Sequence, residues 1–269
     1  MLLEQIVSNK KREVASLEAS RPLGIITSAL GKIEKPRSFK QNLQGSGALK
    51  IIAEVKRASP VKGLLCSDFD PVRLARAYQR GGAGAISVIT ENKYFKGDPT
   101  YISQVKKYTE LPILRKDFIL NEYQVFESRV LNADAVLLIV SILDQYMLRR
   151  LVNLAADLGM AALVEVHNKE ELKQAIDAGA EVVGINNRNL KTFSVTLSTT
   201  LELAGDIPKD TLVVSESGIT SREDILLLEQ AGVDAALVGE NLVRSKDPSA
   251  RLKELKGLPA GKGAEAQCG

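Results

Sequence analysis

The sequence predicts an α/β protein, a (β/α)8 barrel preceded by an N-terminal helical extension. From about residue 49 onward, short apolar runs alternate eight times with segments of helical periodicity. The units repeat at intervals of roughly 20 to 30 residues, which suits crossovers between parallel strands. The apolar runs are continuous, as in parallel strands buried on both faces. A doubly wound open sheet is the alternative, but no Gly-x-Gly-x-x-Gly motif follows the first strand.

The individual elements follow from composition and from start and stop signals. The predicted strands cover Leu49–Val55, Ala85–Thr90, Leu111–Arg115, Ala135–Val140, Ala161–Val164, Val182–Asn186, Leu212–Ser215 and Ala235–Gly239. The predicted helices cover Pro71–Gln79, Thr100–Tyr108, Glu122–Asn132, Leu143–Leu158, Lys169–Ala178, Thr196–Leu203, Arg222–Glu229 and Pro248–Leu255. Helix signals include Pro71 in a first turn, Gly179 and Gly232 after helix ends, and a capping box predicted at Thr220–Glu223.

The chain divides into three predicted parts. Residues 1–48 form a helical extension packed on the barrel, because apolar residues such as Ile6 and Val14 recur there at helical spacing. Residues 49–256 form the barrel itself. Residues 257–269 are small and polar and are predicted to form a flexible tail.

Composition excludes several classes of function. Of the 269 residues, 36 are basic and 33 acidic, so a broad nucleic-acid surface is not indicated. Cys66 and Cys268 form no disulfide framework or zinc-ligand spacing, and the single histidine, His167, argues against a Ser-His-Asp triad or a His-rich metal site. Without an apolar run of membrane-spanning length or a signal peptide, we expect a cytoplasmic protein with no membrane partner.

Polar residues recur at the predicted C-terminal ends of the strands, where barrels of this kind place their chemistry. Glu54 and Lys56 are two residues apart, so their side chains share one face of the first strand. Later strands end near Lys116, Glu165, Asn186 and Glu216. One such charge is normally a solvated loop residue, but the recurrence indicates a shared site for acid–base chemistry. His167 is two residues after Glu165, so the two side chains fall on the same face, but His167 lies further beyond the end of the strand. We therefore expect no direct role for His167 in the chemistry.

Two further groups of residues predict what the site binds. Ser217, Gly218 and Gly239 open the loops after the seventh and eighth strands, which commonly form a phosphate site in such barrels. Ser59, after the first strand, would complete that site once the barrel closes. Phe95 and Phe118 follow the second and third strands and indicate either ordinary loop packing or an apolar pocket for a flat ring.

Six motifs resemble, in chain order, those of the indole-3-glycerol phosphate synthase family. They are Ile51–Pro60, Thr90–Phe95, Leu114–Phe118, Leu163–His167, Gly184–Leu190 and Ser215–Ile219. The resemblance covers roughly residues 1–256 and implies a (β/α)8 barrel. It also implies conversion of 1-(2-carboxyphenylamino)-1-deoxyribulose 5-phosphate to indole-3-glycerol phosphate, with loss of carbon dioxide and water and no cofactor or metal.

The resemblance implies a role for each strand-end residue. Lys116 would be the general acid for ring closure, and Glu165 the base or proton shuttle in the later dehydration. Lys56 would bind the anthranilate carboxylate and act as the acid for loss of the hydroxyl. Glu54, Asn186 and Glu216 would position the lysines and the substrate hydroxyls, and Arg188 would approach the carboxylate or the anthranilate end. Phe95, Phe118 and Leu190 would hold the aromatic ring. The phosphate would be bound by Ser59, Ser217, Gly218, Gly239 and the Glu240 N–H.

Departures from the family pattern concern the phosphate loops. Val61 stands where the family commonly has serine, and Asn241 stands where a small residue is usual. We expect the Glu240 side chain to point away from the phosphate, because two anions would repel.

Two other functions remain as alternatives. A barrel of the phosphoribosylanthranilate isomerase type would require Cys and Asp at strand ends, and a non-catalytic scaffold would lack one of the lysines or glutamates. The expected partner is a small phosphorylated substrate. The protein is predicted to be a monomer or weak homodimer, and contact with other tryptophan-pathway enzymes is left open.

Overall fold

The computed structural model describes residues 2–45, 47–189 and 194–259. In this part of the chain eight parallel strands close into a barrel, with each strand paired to its sequence neighbours and the last to the first. The strands are β1 (Lys50–Val55), β2 (Ala85–Ile89), β3 (Ile113–Lys116), β4 (Ala135–Ile139), β5 (Ala161–Val166), β6 (Val182–Asn186), β7 (Leu212–Glu216) and β8 (Ala235–Val238). The predicted (β/α)8, or TIM, barrel is therefore confirmed.

Helices precede the barrel and connect its strands. They are α1 (Leu2–Ser20), α2 (Leu23–Ala29), α3 (Phe39–Leu43), α4 (Pro71–Gly81), α5 (Thr100–Lys106), α6 (Glu122–Val130), α7 (Gln145–Asp157), α8 (Lys169–Asp177), α9 (Ser198–Leu203), α10 (Arg222–Gln230), α11 (Glu240–Val243) and α12 (Pro248–Leu255). Short 3-10 turns cover Leu30–Lys32, Val140–Ile142 and Ala204–Asp206, and a small hairpin pairs Ala58–Ser59 with Gly63–Leu64. None of the described helices is long and apolar enough to cross a membrane.

Some element boundaries differ from the sequence prediction. Strands β3, β5 and β7 continue to Lys116, Val166 and Glu216, so residues expected just after the strands lie on them. The capping box of α10 lies one residue later than predicted, because Ser221 is the N-cap and Asp224, rather than Glu223, returns a hydrogen bond to it. Cys268 and most of the predicted tail, from residue 260, lie outside the described residues.

The barrel interior changes from apolar to charged along each strand. Phe39 and Leu43 of α3 pack with Ala85 and Ala235 at the strand starts, so α3 closes the N-terminal end. Because side chains on a strand alternate with a period of two, an inward apolar residue is followed two positions later by another inward residue. The resulting pairs are Ile52 and Glu54, Leu114 and Lys116, Leu163 and Glu165, and Val214 and Glu216. The charged layer therefore lies at the C-terminal end.

A buried ion pair attaches α1 to this end of the barrel. The Nζ atom of Lys10, a residue only 1% exposed, lies 2.9 Å from Oδ1 of Asp117 and 3.0 Å from Oε1 of Glu13. Asp117 also accepts hydrogen bonds from Thr90 Oγ1 at 2.6 Å and Arg115 Nη2 at 3.3 Å. Burial alone would lower the pKa of Lys10, but Asp117 and Glu13 outweigh it and raise the pKa. The ammonium therefore stays charged and joins the extension to the residue after Lys116.

Replacing Lys10 with methionine is expected to lower the free energy of unfolding by about 3 kcal/mol, because it leaves a buried carboxylate with fewer partners. Denaturant titration followed by circular dichroism measures this change. The matched control is Lys11→Met, since Lys11 is the next residue on α1 and is exposed; its effect should stay within about 0.5 kcal/mol. Equal stability of the two variants would contradict a stabilising role for the pair.

Candidate active site

The C-terminal ends of the strands surround a cavity of about 730 Å³, and Leu2, Leu3 and Ile6 of α1 form part of its wall. Every predicted site residue that the structure describes lines this cavity: Glu54, Lys56, Ser59, Phe95, Lys116, Phe118, Glu165, Asn186, Arg188, Glu216, Ser217, Gly218, Gly239 and Glu240. Leu190, predicted to contact an aromatic ring, lies outside the described residues. The contribution of α1 to the wall was not predicted.

Lys116 lies at the centre of the charged layer. Its Nζ donates a hydrogen bond to Oε2 of Glu216 and lies 3.7 Å from Oε2 of Glu165. Burial alone would lower the pKa of Lys116, but the charges of Glu216, Glu165 and Glu54 outweigh burial and raise the pKa. The ammonium therefore keeps its proton throughout the neutral range and is aimed into the cavity by two carboxylates.

Glu216 is the most deeply buried of these carboxylates, with a fully inaccessible side chain. Burial raises its pKa to about 7; Glu165 adds to this effect and Lys116 opposes it. Its second oxygen, Oε1, has no hydrogen-bond partner within the described part of the chain. The site thus holds a carboxyl group that exchanges its proton close to neutral pH.

Two glycines provide the space that the buried carboxylates occupy. A Cβ atom at Gly184 would lie 2.3 Å from Oε1 of Glu216, and one at Gly239 would lie 2.3 Å from Oε1 of Glu54. Real Cβ contacts do not come this close, so any larger residue would displace the carboxylates. We did not predict this role for Gly184, although a glycine inside an apolar strand is a known sign of close approach.

Changing Gly184 to alanine is expected to lower kcat by roughly 100-fold, because displacing Glu216 by even about 1 Å would move the Lys116 ammonium that it holds. KM should change by less than about threefold, since Gly184 itself does not line the cavity. Steady-state kinetics measures both constants. Gly205→Ala is the matched control, because nothing lies within 4 Å of a Cβ there. A Gly184→Ala variant with wild-type kcat would show that the close approach does not matter.

A second cation lies beside an aromatic wall. Nζ of Lys56 lies 3.4 Å from Oε1 of Glu54 and 5.6 Å from the ring centroid of Phe95. The rings of Phe95 and Phe118 have centroids 6.3 Å apart. Buried Glu91 fixes this wall by accepting hydrogen bonds from the backbone N–H groups of residues 93, 94 and 95 at 3.1, 2.8 and 3.0 Å. The arrangement suits an aromatic ring that carries an anionic substituent.

Asn186 orients Glu165 from the neighbouring strand. Its Nδ2 donates to Oε1 of Glu165 at 3.1 Å, while its Oδ1 accepts the backbone N–H of Arg188 at 3.0 Å. The amide is therefore fixed in one orientation, and it leaves Oε2 of Glu165 facing Lys116. Arg188 lines the cavity from the loop after β6.

The loops after β7 and β8 present backbone at the other end of the cavity. Ser217 and Gly218 have consecutive positive φ angles of 68° and 82°, a conformation that is strained for serine. Asn187 supports this turn by donating from Nδ2 to the Ser217 carbonyl at 3.1 Å, and its Oδ1 accepts the hydroxyl of Thr200 at 2.8 Å. Asn187 was part of a recognised motif, but its supporting role was not predicted.

Glu240 and Asn241, which follow β8, form polar contacts. Oε1 of Glu240 lies 2.9 Å from Nζ of Lys62 and 3.3 Å from Nε of Arg244, so two cations offset its charge. Asn241 donates to the Thr220 carbonyl at 3.2 Å and accepts from Nε of Arg251 at 2.6 Å, which links the loop after β7 to α12. Val61, in the loop after β1, is more than half exposed, at 56%.

Solved structures share the barrel architecture. The 3-hexulose-6-phosphate synthase of Salmonella typhimurium aligns with a TM-score of 0.63 and 14% identity, covering 78% of this chain and 97% of that one. The thiamine phosphate pyrophosphorylase of Pyrococcus furiosus aligns with a TM-score of 0.58 and 19% identity, covering 78% and 94%. At these identities the likeness concerns the fold alone.

Sequence comparison is more specific. The family model described as "Indole-3-glycerol phosphate synthase" matches residues 3–255. A protein of that name from Alkaliphilus metalliredigens is 45% identical over 256 residues, covering 95% of this chain and 98% of the relative. Its namesake from Thermoanaerobacter pseudethanolicus is 46% identical over 261 residues, covering 96% and 99%. The chain therefore belongs to the indole-3-glycerol phosphate synthase family.

Proposed function

We propose that the chain converts 1-(2-carboxyphenylamino)-1-deoxyribulose 5-phosphate to indole-3-glycerol phosphate, with release of carbon dioxide and water. The observation that carries this proposal is the Lys116 ammonium, held by Glu216 and Glu165 at the centre of the cavity. Family membership supports the same reaction. The aromatic wall on one side and the glycine-containing loops on the other suit the two ends of such a substrate.

Ring closure requires a proton for the substrate carbonyl oxygen. The aromatic carbon that bears the carboxylate attacks the carbonyl carbon, a carbon–carbon bond forms, and the carbonyl oxygen becomes a hydroxyl group. We assign Lys116 as the general acid, since its ammonium is protonated and lines the cavity within the charged layer. Glu216 accepts a hydrogen bond from this ammonium and so fixes its direction.

Decarboxylation follows because the attacked carbon has lost its place in the aromatic system. The bond to the carboxylate breaks, carbon dioxide leaves, and the bonding electrons restore the aromatic ring. Lys56 lies close to the Phe95 ring, which supports our assignment of Lys56 as the residue that binds the substrate carboxylate. Arg188 would lie at the same end of the substrate. Phe95 and Phe118 would pack against the ring.

Dehydration then completes the indole. The hydroxyl formed at ring closure leaves as water, which requires one proton for the leaving oxygen and removal of another from the new ring. We assign Lys56 as the acid and Glu165 as the base; the Asn186 hydrogen bond to Glu165 supports a fixed geometry for the base.

The phosphate would bind at the opposite end of the cavity from the aromatic wall. Its ligands would be the Ser59 hydroxyl and the backbone N–H groups of Ser217, Gly218, Gly239 and Glu240. Binding energy from this remote group orients the reacting atoms without taking part in the chemistry.

The test is direct: purified protein is supplied with the carboxyphenylamino-deoxyribulose phosphate, and indole fluorescence is followed together with carbon dioxide release. We expect one carbon dioxide for each indole formed. Absence of both products at high enzyme concentration would overturn the proposal. A sedimentation experiment in the same buffer would test the expectation of a monomer or weak homodimer.

A further inference from the structure

The single histidine of the chain lies directly behind the proposed base. His167 follows β5, and its Nε2 lies 3.4 Å from Oε1 of Glu165. This nitrogen is buried and makes no aligned hydrogen bond within the described residues. His167 does not line the cavity, so it faces Glu165 from the side away from the substrate. A buried ring nitrogen aimed at a reactive carboxylate calls for an explanation.

The other ring nitrogen fixes the orientation of the imidazole. Nδ1 lies 2.9 Å from Oε2 of Glu171, and the same oxygen accepts the backbone N–H of His167 at 2.9 Å. Glu171 is itself held at the start of α8, where Oδ1 of the N-cap residue Asn168 accepts the backbone N–H of Glu171 at 2.9 Å and Nδ2 of Asn168 donates to Oε1 of Glu171 at 3.0 Å. A carboxylate only accepts hydrogen bonds, so Nδ1 must carry a proton. Nε2 is left to face Glu165.

The two protonation states of His167 then act oppositely on Glu165. A neutral imidazole would turn the lone pair of Nε2 towards the carboxylate, which is repulsive. An imidazolium would turn an N–H towards it and pair with it. Lys116 lies by the other oxygen of Glu165, so charged His167 completes a set of contacts around both oxygens.

We propose that His167 is a positioning residue that, as an imidazolium, holds the Glu165 carboxylate in the orientation used for proton transfer. This inference rests on the proposed function, because it deepens the role assigned to Glu165. The charged groups acting on the ring are Glu171 on α8, Glu165 on β5 and Glu216 on β7. Burial alone would lower the pKa of His167, but these carboxylates outweigh it and raise the pKa.

The coupling can be measured without turnover. Because the chain has one histidine, the Cε1–H resonance of untagged, full-length protein reports His167 alone. We expect its titration midpoint to move to lower pH in both Glu165→Gln and Glu171→Gln. Glu170→Gln is the matched control, since it removes the same charge from an exposed position on the same turn, and its midpoint should not move. A wild-type midpoint in Glu165→Gln would overturn the proposal.

Kinetics tests the catalytic consequence. His167→Gln places an amide nitrogen near the position of Nε2 but does not titrate. We expect kcat to fall roughly tenfold with KM changed less than threefold, as for a misaligned catalytic group. The wild type should lose kcat as pH rises through the His167 midpoint, whereas His167→Gln should lack this limb. Superposable pH profiles would overturn the positioning role. Failure of the proposed function would appear separately, as absence of product from the wild type.

Discussion

Replacing Lys116 with methionine is expected to lower kcat by at least about a thousandfold, which is the largest effect of any substitution considered for this site. Methionine has a similar length and fills the same space, but it cannot deliver a proton to the substrate carbonyl. KM should change much less, because the aromatic wall and the phosphate loops remain. Stopped-flow fluorescence for indole formation and a binding titration with an unreactive analogue separate these two effects.

The matched control for this change is Lys62→Met. Lys62 also lines the cavity and also pairs with a glutamate, but it is half exposed at the mouth. Its loss should leave kcat within about threefold of wild type. If Lys116→Met kept a tenth of the wild-type kcat, Lys116 would not be the general acid for ring closure.

The stability of the Lys116→Met protein provides a second readout with a defined sign. In the wild type the pKa of Glu216 is raised from 4.5 to about 7, so between these values the folded chain binds more protons than the unfolded chain. Stability therefore falls as pH rises through this window. Lys116 opposes the rise in the pKa of Glu216. Removing Lys116 therefore raises that pKa further and extends the window to higher pH. We expect the Tm of the variant to drop below that of the wild type most strongly on the alkaline side.

Much of the site followed from one local rule. Because side chains on a strand have a period of two, Glu54 was expected on the same face as Lys56, and their charged groups lie 3.4 Å apart. The strand ends of a parallel barrel converge at one rim, so Lys116, Glu165 and Glu216 could be expected to meet. These inferences need only the approximate positions of the strands. An error of one or two residues in a strand end does not change which side chains share a face.

Other parts of the site depend on contacts that no local pattern contains. Lys10 resembles an ordinary exposed helix lysine until the docking of α1 brings it to Asp117, more than 100 residues away in sequence. Gly184 resembles a weak point in a strand until Glu216 is placed opposite it. The His167–Glu171 contact is an exception, because a histidine directly before an N-cap asparagine, with a glutamate three residues after that asparagine, could have been recognised from spacing.

Replacing Glu165 with glutamine is expected to lower kcat for indole formation by several hundredfold, within the range observed when a general base is lost. The amide retains the shape of the side chain and can still accept the Asn186 hydrogen bond, which is 3.1 Å long in the wild type. Lys116 keeps the carboxylate of Glu216 as its partner, so ring closure should continue. The loss should therefore fall on dehydration rather than on the earlier steps.

A single-turnover experiment distinguishes these steps. If Glu165 acts late, carbon dioxide should appear before indole fluorescence in Glu165→Gln, and the ring-closed alcohol should accumulate. Glu91→Gln provides the matched control, because it makes the same change in another buried carboxylate lining the cavity, one that holds the loop around Phe95. There we expect a higher KM with carbon dioxide and indole formed together. Carbon dioxide leaves before dehydration, so a base needed only for dehydration cannot slow its release. If both products were delayed equally in Glu165→Gln, Glu165 would act in ring closure instead.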